Sequence, residues 1–175
     1  VIFSGDVFAV PQCIQRIDTR STHGWQVRYQ GTKMFSDHSS DGSGASGALE
    51  RATAELKRRI ARMPAPTKLQ RQPSGNKSSG LPVGISGPIV RSRRNSDVRY
   101  ACLSVLLPRF GDKPVIKAIY IGNERTYTAQ RYREAVARAI EMRQAAEAEY
   151  AQAATQTRRR AARAYTATRA RGAAR

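Results

Sequence analysis

Residues 25–30 alternate strictly, with Trp25, Val27 and Tyr29 on one side and Gln26, Arg28 and Gln30 on the other. A period of two is the mark of a strand with one buried face. The polar face carries a chemistry: a guanidinium can donate two parallel hydrogen bonds to guanine, and a glutamine amide can pair with adenine. Two other constellations carry chemistry by residue type alone. Asp37, His38, Ser39 and Asp41 supply the groups of a nucleophile, a base and an orienting acid, but they lie in a Ser/Gly loop without a core to hold triad geometry. Cys13, His23, His38 and Cys102 could ligate zinc, yet their spacings match no compact zinc motif. Gly42, Gly44 and Gly47 lack the preceding strand and the Lys-Ser/Thr of a phosphate loop. The expectation is a protein with no catalytic residues, no metal and no cofactor.

What surrounds that face is strongly basic. Thirty-one Lys and Arg against 13 Asp and Glu give 175 residues a formal charge of +18, far beyond what solubility needs, so a polyanion is the expected partner. Double-stranded DNA leads, with RNA as the alternative. No apolar run reaches the roughly 18–20 residues of a membrane span, and no charged-then-apolar leader opens the chain. A first residue of Val1 implies that numbering or processing has removed something before it. Cys13 and Cys102 lie far apart in apparent strands and read as thiols of a reducing compartment. The expected location is cytoplasmic and nucleoid-associated.

The elements that must position the polar face follow from periodicity. Residues 13–19 form a β-rich run, 25–30 a second strand, and the turn Gln30-Gly31-Thr32 leads into a third at 33–36. A Ser/Gly/Asp-rich loop covers 37–47. Leu49, Ala52, Leu56, Ile60 and Met63 then recur at spacings of three and four, predicting an amphipathic helix ended by Pro64. The plan repeats with extended runs at 84–93, 99–107 and 115–122, a turn at Gly111-Asp112, and a helix bearing Tyr132, Ala135, Val136, Ala139 and Ile140 along one side. The predicted fold is α+β: two tandem βββα units, each a three-stranded sheet packed on one helix, with a basic, partly helical C-terminal extension. The expected boundaries are an N-terminal arm at 1–11, a first domain at 12–64, a flexible linker at 65–80, a second domain at 81–150 and an Ala/Arg-rich tail at 151–175.

"QRIDTRSTHGWQVRYQGTKMFSD" followed by "GALERATAELKRRI" resembles the APETALA/ethylene-response-factor DNA-binding domain, in the bacterial and phage, integrase-associated versions that occur in tandem. The second copy is similar at a greater distance, through "GIS", "RYACLSV", "KAIYIGN" and "AQRYREAVARAIEMR". The resemblance covers about residues 12–143. It implies an antiparallel sheet lying in the DNA major groove, with the helix behind it. Carried over by strand parity, it puts Gln26, Arg28 and Gln30 in the groove, joined by Arg16 and Arg20, with Lys33 on a phosphate. Arg91, Arg93 and Arg94 before the second middle strand, and Arg158, Arg159 and Arg160 in the tail, are the expected backbone clamps. The outward residues of that second strand, Tyr100, Cys102, Ser104 and Leu106, make a nearly uncharged face suited to a protein partner or self-association. The implied function is a transcription regulator or DNA-organising factor. The rival reading is a non-catalytic structural component of a ribonucleoprotein or larger assembly, and a third is an accessory domain of a recombinase.

Overall fold

The computed structural model describes residues 6–92 and 98–172, with side chains placed through Ala164. The chain is α+β and divides into two compact units, one made of Val1–Pro66 with Thr155–Arg175 and the other of Thr67–Ala154.

In the first unit, β1 (Ile14–Asp18), β2 (His23–Arg28) and β3 (Thr32–Ser36) form an antiparallel sheet in that order, followed by α1 (Ala45–Arg62). Ala48, Ala52, Leu56 and Ile60 recur every four residues and so form one stripe of α1. That stripe meets Ile14, Trp25, Val27 and Tyr29 in a single core. Each large apolar side chain so buried contributes about 1.5–3 kcal/mol. Trp25 has a second role: its indole N–H donates to the carbonyl of Ala45 (2.8 Å), which fixes the start of the helix over the sheet. Gly24 is the residue that lets β3 lie close, because a Cβ there would collide with the carbonyl oxygen of Phe35.

The helix is also tied to the sheet by its cations. Arg59 donates to the carbonyls of Tyr29 (3.0 Å) and Gly31 (2.9 Å), while Arg51 donates to that of Ser36 (2.9 Å). Between those anchors the β2–β3 turn passes through Gln30 and Gly31, both at positive φ. The helix begins four residues before its first predicted apolar position, since Ala45 and Ala48 are small enough to be buried against the sheet.

The second unit repeats the order with β4 (Ile85–Ser92), β5 (Arg99–Leu107), β6 (Val115–Asn123) and α2 (Ala129–Gly172). Leu103 and Val105 of β5 face a core shared with Ile85, Ile119, Ile121, Ala135 and Ala139. Register shifts fall between Ser86 and Ile89 and between Ala101 and Cys102, so β5 carries an irregularity on each side.

Two expected boundaries shift. Residues 65–80, predicted as a flexible linker, are anchored at both ends. The Ala65 N–H donates to Thr155 Oγ1 (2.9 Å), and Lys77 Nζ donates to the carbonyls of Pro82 (2.5 Å) and Ile85 (2.9 Å) in the second unit. A polar composition hides such anchoring, because it works through backbone carbonyls that every residue has. The tail differs likewise: from Thr155 onward α2 belongs to the first unit, where Ala162 packs on the core. Arg158 donates to Gln12 Oε1 (2.6 Å) and to the Gln12 carbonyl (2.9 Å). Arg158→Met is therefore expected to destabilise the first unit by about 1.5 kcal/mol, the scale of a charge-assisted hydrogen bond. Urea unfolding followed by the fluorescence of Trp25, the chain's one tryptophan, measures this, and an unchanged midpoint would remove the tail from that unit's fold.

Candidate nucleic-acid interface

Residues paired across an antiparallel ladder point to the same face. Val27 is buried, so its partners Ile14 and Lys33 lie on the helix side, as do Trp25 and its partners Arg16 and Phe35. The opposite face is built from Gln15, Gln26 and Met34 in one row and Arg28 beside Thr32 in the next. Gln26 is half-buried and Arg28 exposed. Their side chains are joined, Arg28 Nε donating to Gln26 Oε1 at 2.5 Å. The bond orients the guanidinium along the sheet and leaves its terminal N–H groups and the Gln26 amide NH₂ as donors for an incoming acceptor.

Three residues expected on that surface are elsewhere. Arg16 is opposite Trp25 and therefore points to the helix side. Its guanidinium lies 5.1 Å from the Trp25 ring centroid, Nη2 is 2.6 Å from Asp37 Oδ2 and 2.7 Å from Asp18 Oδ1, and Nε donates to Asp18 Oδ2 (2.8 Å). It is a half-buried tie between β1 and the loop after β3, not a groove reader. Gln30 left the strand pattern when the chain turned: at φ 50° it sits beyond β2, and its amide donates to the carbonyl of Pro64 (3.2 Å). Lys33, opposite Val27, is exposed on the helix side with its Nζ 5.3 Å from the Phe35 ring centroid, and it helps lower the pKa of Glu55. The main causes of that lowering are the hydrogen bonds from Arg59 and Arg58. A phosphate at Lys33 would have to approach from the sheet's edge.

Gln15 is the residue that parity within β2 alone did not reveal. It is exposed and paired with Gln26 across the β1–β2 ladder. The signal was present in the hairpin length, which sets β1 against β2. Arg20 is at the exposed tip of that hairpin, a tip closed by Thr19 and Thr22 through backbone and hydroxyl bonds of 2.9 and 3.0 Å.

Of the expected clamps, Arg91 is exposed on β4, opposite Tyr100. Arg93 and Arg94 lie outside the described residues. Arg158 is committed to Gln12, and Arg159 Nε donates to the Ile60 carbonyl (3.2 Å), capping the last turn of α1. Arg160 is exposed. The tail predicted to seek phosphate thus spends two of these three arginines on the first unit's own fold.

The residues whose types could do catalysis have loop duties. Ser39 Oγ accepts from Gly44 N–H (3.2 Å), Asp41 Oδ1 accepts from Ser43 N–H (2.9 Å) and the Asp37 carboxylate is buried against Arg16. The bond from Ser43 holds the Asp41 carboxyl below its ordinary range. His23 Nδ1 is 3.1 Å from Asp18 Oδ1 at the start of β2. Among the described residues no group of three or more His, Cys, Asp or Glu is placed to hold a metal ion, and no helix is long and apolar enough to cross a membrane.

No family model, curated protein or solved structure matches the chain.

Proposed function

We propose that this chain binds duplex DNA without altering it, as a transcription regulator or DNA-organising factor that sets the sheet of its first unit into the major groove, in the manner implied by its resemblance to the APETALA/ethylene-response-factor domain. One observation carries the reading: Gln26 and Arg28 stand joined on the outer face of a sheet whose other face is sealed by α1. A three-stranded sheet offers a surface that fits a groove about 12 Å wide. Gln15 extends the donor and acceptor row, and Arg20 at the hairpin tip reaches toward a phosphate. A chain of formal charge +18 supplies the sequence-independent attraction.

The test is duplex binding measured against salt and against sequence. Each neutralised phosphate is expected to add about 0.9 to the slope of log affinity against log salt. In a selected best site, Arg28→Ala is expected to cost about 1–3 kcal/mol, the size of one bidentate base contact, and to cost much less on random duplex. An equal loss on every sequence would make Arg28 a phosphate contact and remove the base-reading role. Affinity independent of salt would end the DNA reading altogether.

A further inference from the structure

The outer face of the second sheet does not fit the task proposed for the first. Its middle strand turns Tyr100, Ser104 and Leu106 outward, none of them a long polar side chain that could span a groove to a base edge, while Cys102, expected on the same accessible face, is buried with its thiol toward the Ile89 carbonyl. Beside them on β6, Ile116 pairs with Leu106 and Tyr120 pairs with Cys102, so both point outward. Ile116 is 66% exposed and Tyr120 48%. Tyr100 and Tyr120 are neighbours, with ring centroids 6.2 Å apart and planes tilted by 38°. The result is two aromatic rings on the surface of a sheet, at least one with much of its area open to solvent.

Charge decides what such a face would hold. On the outward side strands β4 to β6 carry one cation, Arg91, and no acidic residue, whereas Lys117 pairs with the inward Val105 and Arg99 is ion-paired with Glu124 at 2.7 Å. Arg91 is paired with Tyr100 across the ladder and shares its face. A second copy of the chain would bring another cation and no anion to meet Arg91, and an uncharged apolar partner would leave it unused. Unpaired bases use both features, since every base has a face that stacks on an aromatic ring and a phosphate that seeks a cation. We infer that the Tyr100–Tyr120 face of the second sheet is a stacking platform for the unpaired bases of single-stranded nucleic acid, with Arg91 at the phosphates. This site is distinct from the duplex-reading face proposed for the first unit and does not depend on it.

The chemistry is shared by single-stranded DNA and RNA, so the test uses labelled oligothymidylate, oligouridylate and a duplex of equal length carrying the selected best site, with the full chain. Tyr120→Leu keeps an apolar side chain on the sheet but removes the ring. It is expected to weaken binding of the preferred oligonucleotide by about 5- to 150-fold, the range for one stacked base, and to leave duplex affinity unchanged. Tyr120→Phe is expected to bind as the unaltered chain does. Arg28→Ala is expected to do the reverse of Tyr120→Leu, weakening the duplex alone, so failure of either site shows separately. The inference is overturned if Tyr100→Leu and Tyr120→Leu both bind oligonucleotides normally, or if duplex and single-strand affinities fall in parallel in Tyr120→Leu. It is also overturned if sedimentation shows self-association that Ile116→Lys abolishes while oligonucleotide binding persists, because the face then belongs to a second copy.

Discussion

Asp37→Ala is expected to destabilise the first unit by about 1.5–3 kcal/mol, the scale of a hydrogen bond between charged groups, here lost from a guanidinium that retains a second carboxylate. The Asp37 side chain is fully buried and 2.6 Å from Arg16, whose side chain is only 16% exposed. Without Asp37, Arg16 keeps Asp18 alone and remains against the Trp25 ring. Denaturation followed by Trp25 fluorescence reads this unit, since no other tryptophan is present. Removing both charges together, as Arg16→Met with Asp37→Leu, is expected to recover most of the loss. Arg16 Nη1 and Asp37 Oδ1 are buried without hydrogen-bond partners among the described residues, so the pair is incompletely satisfied and an apolar pair need not be weaker. A single variant costing less than about 1 kcal/mol would show that the pair holds nothing.

The same cluster sets a pH dependence. Hydrogen bonding from Arg16 holds the Asp18 carboxyl below its ordinary range, with His23 adding to the effect. Burial opposes the charge on Arg16, but Asp18 and Asp37 outweigh it and raise its pKa further. A carboxyl whose pKa is depressed on folding stabilises fully above its unfolded value, about 4, and loses that contribution as pH falls through the folded one. Acid unfolding of the first unit is therefore expected to begin below about pH 4, and Arg16→Met is expected to flatten this part of the profile.

Leu103→Ala is the corresponding large effect in the second unit, at about 3–4 kcal/mol. Leu103 is completely buried among Ile85, Ile119, Ala135 and Ala139, residues that cannot easily close over the space it leaves. Amide exchange in β5 is expected to accelerate by about 100-fold or more where it proceeds by global opening. Leu106→Ala, three residues on and facing outward, is the contrast, and it is expected to change stability by less than about 1 kcal/mol. Equal effects at the two positions would mean that the inward and outward faces of β5 are assigned wrongly.

Alternation made most of the two middle strands' faces legible from sequence: Trp25, Val27 and Tyr29 are buried, as are Ala101, Leu103 and Val105, but Cys102, expected on the accessible face, is buried too. The two βββα orders and the helix stripes were legible for the same reason, since a period of residues in the chain becomes a direction in space. What was not legible depended on relations between elements. Arg16 could be assigned to a face only after the hairpin set it opposite Trp25. Gln30 fits the alternation, but the need for a left-handed turn before Gly31 removes it from the strand. Arg158 and Arg159 read as a solvated charge run until the helix that carries them is found packed on α1 and Gln12. In each of the last two cases a polar side chain was taken by a backbone carbonyl, a partner that sequence pattern does not mark.

Among the described residues β6 has a strand on one side only. Over nine residues its far margin carries a single charge, Lys117, and that is a thin guard against strand-to-strand annealing between molecules. The chain's large excess of positive charge supplies the rest by keeping like molecules apart. Such protection is conditional: phosphate chains that quench the charge would also lift the barrier to growth along this margin. Coalescence in the presence of excess polyanion should therefore be suppressed by a second lysine or a proline placed in β6.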